Sequence, residues 1–544
     1  MRIDATTYAE AYDNFHWNLP ERFNIAHACC LRHATGNLRD APALIFLHED
    51  GTRDVYSFGL LATFAARFCN ALKSADIGPG DIVAVHLPQC PEAVIAHLGI
   101  QMAGAIALPL FGKFGPDAMT FRLRDAGPKS LVSTLDGLLP IEKQLHGGSS
   151  IPQLLCVDGD GPAGARSFWA TLEAASPQAD AHPTGINDPA FLMYTSGTTG
   201  DPKGVLHAQR VLIGHLPGMI LPHEGFPVSG DKFWTPADWA WAGGLFDALL
   251  PALYFGVPVV GSKQRFDPEH AMALMAVEAV RNAFIPPTAL RLMRGADVRP
   301  PEHFCIRTIG TGGESLGEDM IAWGHKTFGL TLNEFYGQTE ANLVIGNSSA
   351  LFDVRAGSMG RAIPGHDVAV VDDNGNLLGE GEEGIVAVRR PNPVMFLEYW
   401  NNPEATRSKF AGDWCLLGDV ARRDADGYFW FRGRDDDIIM SAGYRIGPSE
   451  IEDCLISHPD VTLAGVIGAP DSVRGEIVVA YVVLRDGVTS SPELEDALQQ
   501  WVRNRLGAHQ YPRHVRVVDE LPTTLTGKIQ RNRLRALEKV RTSK

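Results

Sequence analysis

Residues 194–207 read YTSGTTGDPKGVLH. From Thr195 to Gly204 the chain carries only Thr, Ser, Gly, one Asp, one Pro and one Lys, with apolar FLM before this stretch and VL after it. A strand that feeds such a loop presents backbone N–H groups and hydroxyls with nothing bulky in the way. That is a nest for phosphate oxygens, and Lys203 supplies a point charge. The spacing is not the G-x-x-x-x-G-K-[ST] of the familiar nucleotide loop. Taken alone, the stretch reads first as a mobile surface loop, so its surroundings must decide.

Working outward, β-rich runs alternate with helical patterns. DIVAVHL (81–87) leads to PEAVIAHLGIQMA and then AIALPL; later come KFWTP, VPVVG, DPEHAMALMAVEAV, NAFIPP and IRTIGTGG. This alternation predicts parallel α/β sheets. Residues 137–188, rich in Gly, Pro, Ala and Ser, read as surface loops. The run 242–260 contains Asp247, Pro251 and Pro258, so it reads as a core helix, a turn and a strand, not a membrane span. Beyond about residue 350, VAVVDDNGNLL and GIVAVRR read as antiparallel strands with an Asn374-Gly375 turn. The last hundred or so residues read as a small α+β unit, with Ser449 as the N-cap of SEIEDCLISHP. The expected architecture is therefore α/β. A large N-terminal domain (1–435) of layered α/β subdomains and a β-subdomain precedes a small C-terminal domain (436–544).

The composition fits a soluble globular protein of several domains: 544 residues, 45% hydrophobic and 21% charged. A net charge of −16 argues against broad attraction to nucleic acid or anionic membrane. The eight Cys show no CxxC pair or zinc spacing, and the first residues show no apolar leader. Both observations lead us to expect reduced thiols and a cytoplasmic location.

Two further stretches bear on the loop. In NEFYGQTEANLVIGN (333–347), the polar Gln338-Thr339-Glu340 follows a strand, where ligands bind in α/β sheets. Glu340 suits Mg²⁺, or serves as a helix N-terminal carboxylate. In LPTTLTGKIQRNRLR (521–535), Lys528 sits in a Thr/Gly turn of a separate small domain.

With TGGES (311–315), Gly418-Asp419, Gly433-Arg434 and GYRIGPSEIE (443–452) beside them, these elements occur in the order of one family. The chain resembles the adenylate-forming (AMP-binding) superfamily, most closely its medium-chain acyl-CoA synthetase-like branch. The resemblance implies carboxylate + ATP → acyl-AMP + pyrophosphate, then transfer of the acyl group to CoA, with Mg²⁺ as cofactor. It assigns ATP to Thr195, Ser196, Gly197, Thr198, Thr199, Gly200, Lys203, Gly313, Glu314, Ser315, Glu334, Phe335, Tyr336, Gly337, Gln338, Thr339, Asp419, Arg434 and Lys528. Within this set, Lys203 and the loop amides hold the β/γ phosphates, Thr339 the α-phosphate and Asp419 the ribose. Lys528, Thr339, Glu340 and Lys203 carry the chemistry, with Glu340 on the metal.

The resemblance also makes the C-terminal domain mobile about a hinge at Asp436. Its rotation withdraws Lys528 and brings up Ala442, Gly443 and Tyr444, with Arg445, Arg474 and Arg513 toward CoA. Acetate-specific relatives carry Trp where this chain has Gly337, so an open apolar pocket floor is expected. Each buried CH₂ gains about 0.8 kcal/mol, which favours acids of roughly four to ten carbons, aryl acids included. Trp239 and Trp241 either line that pocket or belong to the core. The competing readings are an aryl-acid CoA ligase, a ligase loading a carrier protein, a luciferase-like oxygenase and a non-catalytic nucleotide sensor. The expected partners are the acid, ATP and CoA, with a lysine acetyltransferase on Lys528 and a homo-oligomeric state left open.

Overall fold

The computed structural model describes all residues except 2, 4, 113, 147–150, 196–201, 315, 435–436, 442–443, 472–473, 507–509, 525–527 and 543–544. Among the described residues the strands form four sheets. An eight-stranded sheet is built on Ile82–His86, paired in parallel with Ile106–Pro109 and Ser130–Ser133. Its connecting helix, Pro91–Ala103, is buried on nearly every face and ends on Gly104 at φ +75°. A nine-stranded sheet holds Asn282–Phe284, Thr308–Gly312 and Leu332–Gln338 as parallel neighbours. One apolar core spans both sheets, which fixes their mutual position. The third sheet is antiparallel and ends with Phe429–Arg434 against Trp414–Arg423. The fourth begins at Ile439–Ser441 and has its own core, centred on Ile451, Val466 and Val482. No helix among the described residues is long and apolar enough to cross a membrane.

Three local expectations change. Residues 137–188 are not all loop: Gln153–Cys156 and Arg166–Ser167 extend the first sheet, and Phe168–Ala174 is a helix. Each strand is only two to four residues long, too short for its periodicity to stand out among the glycines. The helix at 448–456 takes Gly447, not Ser449, as its N-cap, and no side chain caps it. Pro448 occupies the first helical position, where its missing N–H costs nothing, so the helix starts before the serine. Finally, Glu340 does not open a helix. Gln338 and Ala341 pair across an antiparallel hairpin, and Thr339-Glu340 is its turn.

Candidate active site

The loop of the opening stretch joins two antiparallel strands, Pro189–Thr195 and Lys203–Ala208, with Thr195 opposite Lys203. Ser196, Gly197, Thr198, Thr199 and Gly200 lie outside the described residues. Thr195 Oγ1 donates to the Lys203 carbonyl at 3.4 Å, closing the hairpin. A short strand, Glu398–Tyr399, pairs with the Lys203 strand. Phe396 N–H donates to the Glu340 carbonyl at 2.9 Å, and Trp400 N–H to the Gly204 carbonyl at 2.7 Å. Residues 396–400 thereby tie the Thr195–Lys203 hairpin to the Gln-Thr-Glu hairpin. Glu340 is 8% exposed; its Oε1 accepts from the Tyr399 hydroxyl and lies 3.8 Å from Lys409 Nζ. Lys203 Nζ stands 5.3 Å from the centroid of the same Tyr399 ring. Tyr399 and Lys409 carry no cue in the sequence, because each is one aromatic or cation far from the motifs.

A second wall comes from the nine-stranded sheet. Gly313 (φ +95°) turns the chain beside Trp241, whose ring lies 3.3 Å from where a Cβ would stand. Glu314 accepts from Thr288 Oγ1 and Arg291 Nη1, each at 2.9 Å; Ser315 lies outside the described residues. Glu334 is buried, and its carboxyl is pushed up to about 8, first by burial and then by repulsion from Asp453. Phe335 packs on Phe284.

Tyr336 donates to Asp419 Oδ2 at 2.7 Å, and Gln338 Nε2 donates to the same oxygen. Burial, with Asp419 next, raises the Tyr336 hydroxyl well above its ordinary range, so it stays a donor. Asp419 and Arg434 are cross-strand neighbours. Trp414–Arg423 therefore delivers an acid oriented by two donors to the end of the Leu332–Gln338 strand.

Gly337 leaves no room for a side chain along its own Cβ direction. A Cβ there would stand 2.4 Å from both Asn342 Oδ1 and Leu343 N. The strand pairing slips between Tyr336 and Gln338, and glycine permits this close approach. Trp239 is 1% exposed and packs against Gly261, so it is a core residue. Trp241 is the tryptophan beside Gly313.

The C-terminal domain supplies Lys528 from a turn closed by Thr524, whose Oγ1 accepts from Lys528 N–H at 3.0 Å. Lys528 is exposed as a residue. Desolvation lowers its pKa, Asp419, Glu314 and Glu340 oppose that, and Arg434 adds to it. All four belong to the N-terminal part, so Lys528 lies in the electrostatic field of the wall built above.

The described residues implied for CoA lie on the C-terminal sheet and its hairpin. Ser441 pairs with Gly475, and Gly475–Leu484 runs parallel to His514–Val517. This places Ser441 beside Gly475, next to Arg474, while Arg513 N–H donates to the Val478 carbonyl farther along the same strand. Arg513 stacks on Tyr511 with its guanidinium carbon 4.2 Å from the ring centroid. The backbone of Tyr444 and Arg445 forms the adjoining hairpin; Ala442, Gly443 and the hinge candidate Asp436 lie outside the described residues.

These features, a Gly/Thr-rich loop sequence between two paired strands, a carboxylate held by Tyr336 and Gln338, and Lys528 in the C-terminal domain, stand beside the following comparisons. The AMP-binding enzyme model matches residues 31–400, and the AMP-binding enzyme C-terminal domain matches 450–528. The chain belongs to the AMP-binding enzyme family. It is 34% identical to acetyl-coenzyme A synthetase of Bacillus subtilis (strain 168), over 98% of this chain and 95% of that one. It is 35% identical to the human mitochondrial acyl-coenzyme A synthetase ACSM5, over 96% and 91%. Its fold matches the anthranilate CoA ligase AuaEII in complex with anthranoyl-AMP, with a TM-score of 0.87 and 26% identity over 97% and 99%.

Proposed function

We propose that the chain is an AMP-forming acyl-CoA synthetase that activates a short- to medium-chain carboxylic acid and passes it to CoA. The observation that carries this is Lys528, brought by the small domain into the field of Asp419, Glu314 and Glu340. A carboxylate oxygen attacks the α-phosphorus and pyrophosphate leaves. The CoA sulfur then attacks the acyl carbonyl and AMP leaves. In the first step two anions must meet, and unit charges ~4 Å apart repel by about 4 kcal/mol at an effective dielectric of 20. Lys528 is the cation placed to offset this at the α-phosphate, and Lys203 with the hairpin amides serves the departing phosphates. The Asp419 carboxylate, oriented by Tyr336 and Gln338, suits a ribose hydroxyl.

The donor set fits a magnesium–nucleotide. Mg²⁺ on a nucleotide needs one or two carboxylates besides phosphate oxygens, and Glu340 offers one, held in place by Tyr399. When bound, the ion neutralises polyphosphate charge.

In the second step the group at 442–445, Arg474 and Arg513 would meet CoA after a rotation about a hinge at Asp436, at the proposed 435/436 boundary. Because Lys528 is exposed, a lysine acetyltransferase could reach it, and acetylation would remove the charge the first step needs.

The test is Lys528→Ala. Acid-dependent ATP–pyrophosphate exchange should fall at least a hundredfold, while CoA transfer from supplied acyl-AMP persists. Loss of both half-reactions counts against the two-position picture. Absence of acid-stimulated pyrophosphate release from the unaltered protein refutes the function.

A further inference from the structure

Behind Gly337, where an apolar floor is expected, the chain places polar groups. Asn342 Nδ2 donates to Asp247 Oδ1 at 2.7 Å, and its Oδ1 fills the space a side chain on residue 337 would take. Asp247 rides on a π-helical turn, Leu245–Leu249, a wide turn frequent at functional sites. It is 4% exposed. Burial lifts its carboxyl well above the ordinary range, with only Asn342 opposing, which favours the neutral acid, the form with an O–H to donate.

His215 faces it. Its Nε2 lies 3.8 Å from Asp247 Oδ1, too far for a hydrogen bond. Its Nδ1 is 2.7 Å from the Val211 carbonyl. A carbonyl only accepts, so Nδ1 carries the proton and Nε2 is a bare acceptor. Burial keeps the ring neutral, with a pKa of about 4. Nε2 finds no partner among the described residues. A buried acceptor left open is costly unless a further group donates to it. The cluster adjoins the reaction site through Gly337 and through His207, whose buried ring is turned toward the Thr339 carbonyl.

We propose that Asp247, Asn342 and His215 form the deep wall of the acyl pocket and select a carboxylic acid bearing a hydroxyl group. The hydroxyl donates to His215 Nε2 and accepts from the Asp247 acid. A keto oxygen satisfies only Asp247, and a methyl neither. An ammonium would require an ionised Asp247 in a site that disfavours charge. The inference rests on the acyl-CoA synthetase reading and narrows its substrate.

The experiment measures AMP release by the full-length protein with ATP, Mg²⁺ and CoA. The panel is butyrate, pentanoate and hexanoate, each with its 2-, 3- and 4-hydroxy and keto counterparts. The best hydroxy acid should exceed its unsubstituted partner in kcat/KM by at least about tenfold. Asp247→Leu, and separately His215→Phe, should erase that ratio, while Asp247→Asn keeps several-fold of it. Unsubstituted acids that match or beat the hydroxy acids at every position overturn the proposal and leave the wall to a fixed water. A preference that survives both Asp247→Leu and His215→Phe also overturns it. If no acid releases AMP, the parent reading falls with it.

Discussion

Arg531 stands three residues beyond Lys528 and ties three parts of the small domain together. Its guanidinium reaches Asp437 Oδ2 at 3.1 Å and Glu452 Oε2 at 2.6 Å, with side chains 15%, 5% and 10% exposed respectively. Asp437 adjoins the proposed hinge, Glu452 lies on the helix Pro448–Ile456, and Arg531 opens the helix Arg531–Thr542. Arg531→Met removes one partner of a buried ion cluster, a change that costs about 3–5 kcal/mol. The lower end applies here. Asp437 keeps Arg535 at 2.6 Å, and Glu452 keeps the Val466 N–H at 2.8 Å. At about 1.4 kcal/mol per decade, 3 kcal/mol is a little over a hundredfold in local opening.

Hydrogen exchange in peptides spanning 529–542 should accelerate by that factor, with the nine-stranded sheet unaffected. Pyrophosphate exchange should fall about tenfold, because the Lys528 turn loses its anchor, and transfer from supplied acyl-AMP should fall less. The double variant Glu452→Met/Arg531→Met should recover part of the protection, since an apolar pair can replace a buried ion pair while the Val466 N–H loses its acceptor. Unchanged exchange in 529–542, or equal loss of both half-reactions, refutes the claim that this cluster transmits the domain's position to the lysine.

Glu334 gives a pH prediction. Its folded pKa of about 8 exceeds the ordinary 4.5, so the folded state holds the extra proton and stability falls as pH rises between those values, by up to about 1.4 kcal/mol per pH unit. Glu334→Gln should flatten that slope in urea titrations at pH 5 and pH 8; an unchanged slope rejects it. Asp453→Asn removes the second cause of the shift, so the slope should shrink and the apparent Glu334 pKa should fall. Tyr399→Phe deletes the hydroxyl that holds Glu340, a loss of about 1–3 kcal/mol for a buried carboxylate. The Mg²⁺ concentration for half-maximal pyrophosphate exchange should rise several-fold, and no change would remove Tyr399 from the site. Gly337→Ala should lower the melting temperature, because its Cβ meets Asn342 and the Leu343 backbone. Normal stability would show that this turn relaxes freely.

The sequence made the α/β order and both loop motifs legible for physical reasons. Buried parallel strands such as Ile82–His86 carry unbroken apolar runs, and phosphate-type loops exclude bulky side chains over many positions. What stayed hidden depends on single side chains meeting across long separations. Tyr399 reaches Glu340 over 59 positions and Asn342 reaches Asp247 over 95; neither pair has a local pattern. The same reasoning applies to Gly337. A small residue at a strand end signals room, but room is shared, and here Asn342 on the neighbouring strand takes it. An absent side chain therefore fixes only which group approaches. Because that group is an amide bound to a buried acid, and not a hydrocarbon, the missing bulk at 337 bears on substrate polarity before it bears on substrate length.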